Sequence, residues 1–304
     1  MSTMTRSRTR ADAAALSLLA ALLLGSAGAG AAPPAARSPS PPSSAPSPSR
    51  MEAEHRAAYP LGAPAAGPPL AGVRLSRLTL PGLQLSARSD AAADEGGIVL
   101  SFADAAGTVR AVVRLAVTTD ADAARRLLDV ELHGVAAQLH PSTDTALGEL
   151  AWADDAGRGS SLVIAAQGNI AYSVSVPEGA PGLPSAAGIA RIVRAAMVAG
   201  TPSFPAVKVS LPPSIEVKGE VQGEVQGKVQ GGVRGGTPVA VTVPGGLAYK
   251  LRAEGGYITR GPDGPVVRPF GPGPITVRAT AVDDLGRVGI GVATATAVAG
   301  AQTR

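Results

Sequence analysis

Alternating apolar and polar positions predict strands from residue 71 onward. Val73, Leu75, Leu78 and Leu80 outline one strand, and Leu83 and Leu85 begin another after Pro81-Gly82. Ile98–Phe102 (IVLSF) and Val109–Val117 (VRAVVRLAV) flank Asp104-Ala-Ala-Gly107, a hairpin with glycine near the end of its turn. The period then changes. Thr119-Asp120-Ala121-Asp122 reads as a helix N-cap with an acid three residues on, and Leu128, Leu132, Val135 and Leu139 recur on one helical face. Pro141 is expected to end that helix, because proline restricts the residue before it. Leu162–Ala166 and Ile170–Val176 form a second hairpin about Gln167-Gly168-Asn169. Pro184-Ser185 opens a second helix with Ile189, Ile192, Val193, Ala196 and Met197 on its face and Gly200 after it. Strands, helix, hairpin and helix in that order predict an α+β module over 71–200, an antiparallel sheet with two helices covering one side.

Beyond Thr201-Pro-Ser-Phe-Pro205, read as a hinge, the helical period disappears. Short β runs at Val207–Leu211, Val239–Val243, Tyr249–Arg252, Tyr257–Thr259, Val266–Val267, Ile275–Val282 and Val288–Val298 are separated by Gly- and Pro-rich turns. That spacing predicts an all-β sandwich over 206–300, with 201–213 as hinge and first strand. Within it lies a tetrapeptide array, residues 216–235: EVKG, EVQG, EVQG, KVQG, GVRG. Glycine at every fourth position opposes a helix by about 1 kcal/mol per glycine relative to alanine. In an extended chain Val and Gly share one face and the polar residues the other. Fully extended, the array would reach about 66 Å, beyond any ordinary strand. It reads either as an expanded linker or as a strand offered for self-association, although its interspersed charges also guard an edge against pairing.

The N-terminal residues carry a different signal. Arg6, Arg8 and Arg10 precede the apolar run Ala13–Leu24, and small residues with Ala27-Gly-Ala29 and Ala29-Gly-Ala31 follow. This is the order of a cleavable secretory signal over 1–31, with an apolar core shorter than the roughly twenty residues a bilayer span needs. No cysteine stands at the junction, so a lipoprotein is not expected. Residues 32–70, rich in Pro, Ser and Ala, read as a disordered linker. The expected location is therefore secreted or periplasmic, with no stable transmembrane span after cleavage.

The segment Ile275–Ile290 (ITVRATAVDDLGRVGI) contains V-x-A-x-x-x-D-x-x-G-R from Val277 to Arg287. It resembles the closing hairpin of immunoglobulin-like domains of bacterial exported proteins. Ala253–Ile258 and Pro262-Asp-Gly are similar to their mid-domain hairpin. The resemblance covers about 95 residues and implies an immunoglobulin-like β-sandwich. It says little of activity. The Cys pair and core Trp of disulfide-bearing members are absent, since the chain has no Cys and its one Trp is Trp152.

Composition narrows the function. With 0 Cys, thiol nucleophiles, thiolate zinc sites, iron–sulfur clusters and disulfides are all excluded. Only three His are present, and eight aromatic residues scattered along 304 positions argue against a base-stacking surface. The formal net charge of +4 gives no footprint for nucleic acid. Half of it belongs to the signal segment.

The candidate chemistry is thin. His140, Ser142 and Asp144 contain the residue types of a hydrolase triad, though their adjacency is that of a turn. His133 and His140, seven apart, would share a helix face as metal ligands. Asp283 and Asp284 are candidate calcium ligands but too few for a shell of six to eight oxygens. No GxSxG, HExxH or phosphate-binding glycine loop appears. The expectation is an exported, non-catalytic binding or structural protein of the envelope or extracellular space, without cofactor, whose partner is an unknown protein or glycan. The alternatives are a secreted hydrolase or metal-dependent enzyme with its site in the 71–200 module, and self-assembly through 216–235.

Overall fold

The protein is described by a computed structural model covering residues 59, 61, 67–89, 97–135, 138–154, 161–177, 182–217 and 236–299. The expected signal over 1–31, nearly all of the expected 32–70 linker and residues 218–235 of the array lie outside the described residues. The first elements are β1 (Leu70–Val73), β2 (Gln84–Ser89), β3 (Gly97–Ala103), β4 (Val109–Val117) and α1 (Ala121–Gly134). They are followed by β5 (His140–Pro141), β6 (Leu150–Ala153), β7 (Leu162–Gln167), β8 (Ile170–Ser175), α2 (Ala186–Ala195) and β9 (Met197–Ala199). Seven strands form one sheet in the order β2-β3-β4-β8-β7-β6-β5, each pair antiparallel.

Local chemistry explains the turns. The Asp104 carboxylate accepts the N–H groups of Ala106 and Thr108 at 3.0 Å, and Gly107 takes a φ of 80°, so the β3–β4 chain reverses as its sequence predicts. Asn169, in the β7–β8 turn, is buried. Its side chain accepts from Leu70 N at 2.7 Å and donates to the carbonyls of Leu70 and Thr118 at 3.0 and 2.9 Å. One amide thereby ties β1, which pairs with β9, to the corner of the large sheet.

The two helices lie on opposite faces of that sheet. On α1, capped by the Asp120 carboxylate accepting from Ala123 N at 2.8 Å, the buried Leu128 and Leu132 pack with Trp152, Ile164 and Ala166. On α2, capped by Ser185, the buried Ile189, Ala190 and Val193 pack with Val163, Ala165, Tyr172 and Val174. Alternate residues of β7 thus face different helices, as the period of a strand requires. Tyr59 and Leu61 join the α1 side, where Arg125 donates to the Leu61 carbonyl.

The α+β class is corrected by these observations. Half of the described residues are in strands and 15% in helices, with eighteen strands against two α-helices. The described residues are mostly β. The expected one-sided helical layer is absent because each short helix covers a different face. α1 also stops earlier than Pro141 suggests. Gly134 ends it, Val135 is already extended, and His140-Pro141 forms an edge strand instead. Leu139 still reaches the α1 core, so the apolar spacing marked burial rather than helix.

The rest of the chain adds β10 (Lys208–Ser210), β11 (Ser214–Val217), β12 (Thr237–Pro238), β13 (Ala240–Thr242) and β14 (Tyr249–Glu254). Then come β15 (Gly256–Gly261), β16 (Gly264–Pro269), β17 (Gly273–Val282) and β18 (Val288–Ala299). They make a four-stranded sheet, β11-β18-β17-β14, a three-stranded sheet, β12-β16-β15, and the pair β10-β13. All pairings are antiparallel except β11 with β18. Ile215, Ile275, Val277, Ala295 and Ala297 from the larger sheet share a core with Val267 of β16 and with Val239. The first residues of the array, Glu216 and Val217, lie in β11 beside Val298 and Ala299.

The turn between β17 and β18 joins the two halves of the chain. Val73 N donates to Leu285 O at 2.8 Å, and Leu75 N to Asp284 O at 2.9 Å. Val288 enters the core of the seven-stranded sheet, with Val282 and Phe204 packed against it. The approach is close enough that a Cβ at Gly72 would lie 2.3 Å from Leu285 O. Gly286, at φ 71°, would place a Cβ 3.0 Å from Leu115 Cδ2. All described residues belong to one compact unit.

Candidate functional site

His140, Ser142 and Asp144 are near in sequence, but no hydrogen bond links His140 to either partner. His140 is exposed on the edge strand β5, opposite Ala153. Ser142 Oγ accepts from Asp144 N at 3.2 Å. The Asp144 carboxylate accepts from Ala146 N at 2.9 Å on one oxygen and from Arg191 Nε and Nη2 at 3.1 and 2.6 Å on the other. Arg191 and the Ala146 N–H hold this carboxyl below the usual carboxylate range. The constellation is a turn latched to α2: the acid is committed to an arginine, whereas a triad needs it on the histidine.

His133 sits in the last turn of α1, its Nδ1 2.8 Å from Asp129 O and 3.8 Å from Asp129 Oδ2. The shared face with His140 does not form, because the helix ends at Gly134. Among the described residues no group of three or more His, Asp or Glu side chains is placed to hold a metal. Asp283 and Asp284 occupy the joining turn. Asp283 accepts from Leu285 N and Arg287 N at 3.0 Å on one oxygen, and from Arg287 Nε at 2.6 Å on the other. Asp284 contributes its backbone carbonyl to Leu75 and leaves its side chain exposed. In this role the acids shape a turn.

A feature that the sequence reading missed lies on the three-stranded sheet. Tyr257 and Phe270 are 44% and 75% exposed, and their rings stack with centroids 5.7 Å apart and planes 27° apart. Tyr257 pairs with Arg268 across the β15–β16 hairpin, which sets Phe270, two residues further along the same face, within diagonal reach. Exposed large aromatic side chains placed together mark contact surfaces more often than isolated ones do. The signal was present in the hairpin turn at Gly261–Gly264, about which residues 257 and 270 are nearly symmetric.

No family model matches the chain, and no curated protein is similar to it. Among the described residues no helix is long and apolar enough to cross a membrane.

Proposed function

We propose that this is an exported, non-catalytic binding protein of the cell envelope or extracellular space, and that its C-terminal sheets form an immunoglobulin-like module. The stacked, exposed pair Tyr257–Phe270 carries the reading: apolar aromatic surface left open to water gains free energy when a partner covers it. The signal pattern of Arg6, Arg8, Arg10 and Ala13–Leu24 supports export. Two facing sheets, antiparallel except for the β11–β18 pair, support the immunoglobulin-like assignment, together with the closing hairpin whose sequence resembles that of such domains. The test is co-sedimentation of the mature chain with purified envelope from its producing cells. Retention should fall about ten-fold or more in the double variant Tyr257→Ser, Phe270→Ser, given that aromatic anchors dominate binding energy. Equal retention of parent and variant would contradict the assignment of this surface.

A further inference from the structure

The stretch expected to be linker contributes two side chains to the core of the seven-stranded sheet. α1 lies over β7 and β8. Leu150 and Trp152 of β6, one strand nearer the sheet edge, need a further cover on that face. Tyr59 and Leu61 supply it. Both are half-buried and pack against the cluster that holds Leu128, Leu132 and Trp152, and Arg125 of α1 donates to the Leu61 carbonyl. The floor of this contact is closed, with Leu132 and Trp152 only 1% and 2% exposed. Trp152 Nε1 is buried and meets no acceptor among the described residues, so the arm shields the indole by apolar contact. Loss of the arm would open that apolar floor to water, and an equivalent arm would be the matched cover. The connection from Leu61 to Gly67 is Gly62-Ala-Pro-Ala-Ala66. It spans at most about 20 Å, and its proline stiffens it. Short, stiff connections favour exchange of a terminal segment between identical chains, because the same contacts form in trans without the connection folding back.

We propose that two copies of this chain exchange their N-terminal arms, Tyr59 and Leu61 of each copy packing on Trp152 and α1 of the other. Each groove is then completed by the second copy, whose arm fits it through the contacts the arm already makes. The interface is separate from the Tyr257–Phe270 surface and from residues 216–235, so the readings fail separately.

Light scattering of the chain from micromolar to millimolar concentration tests it, with a synthetic peptide of residues 55–66 (HRAAYPLGAPAA) as competitor. A monomer–dimer equilibrium is expected. Excess peptide should shift it to monomer by filling the groove, and the same peptide carrying Tyr59→Ser and Leu61→Ser should leave the dimer intact. In the chain, Tyr59→Ser with Leu61→Ser should weaken dimerisation about ten-fold or more, the scale of losing apolar anchors. Inserting Gly-Ser-Gly-Ser after Ala66 leaves both anchors in place and relaxes the connection. It should also move the balance towards monomer, and it keeps the test intact if the serine variant unfolds. Monomer throughout the concentration range would overturn the proposal. So would a dimer unaffected by both the peptide and the insertion, which is the behaviour expected of association through 216–235.

Discussion

Asp144, in the loop after β5, and Asp283, in the β17–β18 turn, make similar contacts: backbone N–H on one oxygen, from one residue at Asp144 and two at Asp283, and an arginine on the other. Their surroundings differ. The Asp144–Arg191 pair is exposed, with side chains 34% and 54% accessible, and it latches a loop to the middle of α2. The Asp283–Arg287 pair is more buried, at 12% and 19%, and shapes the turn whose backbone bonds to Val73 and Leu75. Similar local chemistry therefore carries different energetic weight. An exposed ion pair is screened and worth little, whereas removing one partner of a desolvated pair leaves a charge and several N–H groups unsatisfied.

The largest predicted effect follows from that contrast. Asp283→Ala should cost about 2–4 kcal/mol, because it strands Arg287 and frees the Leu285 and Arg287 N–H groups in a packed turn. Urea denaturation at equal slope measures it. Next, Gly286→Ala should cost about 1–3 kcal/mol by the same assay, from a left-handed φ and a Cβ pressed on Leu115. Asp144→Ala should lower the melting midpoint by no more than about 3 °C, the scale of an exposed pair, and a loss as large as that of Asp283→Ala would erase the distinction drawn here.

The smallest effect concerns pH. Asp104, Asp120 and Asp144 are all held below the ordinary carboxylate value, mainly by hydrogen bonds from Arg110, the Ala123 N–H and Arg191 respectively. A depressed folded value means that their contribution is complete above the unfolded value, near pH 4, and is lost as pH falls through the folded values below it. Melting midpoints between pH 6 and pH 2 should thus decline only below about pH 4, and Asp144→Asn should make that decline shallower.

The contrast also shows what was legible in the sequence. Turn chemistry was plain, because Asp104, Gly107, Asp120 and Ser185 act through their own neighbours. The helix-on-both-faces arrangement was not taken from the alternation elsewhere, yet β7 reads LVIAAQ, a continuous apolar run of the kind that a strand covered on both sides requires. The end of α1 was misplaced because Leu139 continues the helical spacing after the backbone has left the helix at Gly134. Contacts between distant segments carry no local mark. Nothing near Asp283 announces Val73, and nothing near Tyr257 announces Phe270 except the turn midway between them.

Trp152 offers the most direct test of the claim that the β17–β18 turn holds the two halves together. It is the single tryptophan and lies buried in the core beneath α1, whereas Asp283 belongs to the other half of the chain. Trp152 fluorescence during urea unfolding of the chain should show one cooperative transition, and Asp283→Ala should move its midpoint to lower urea. A Trp152 midpoint unchanged by Asp283→Ala would contradict the account.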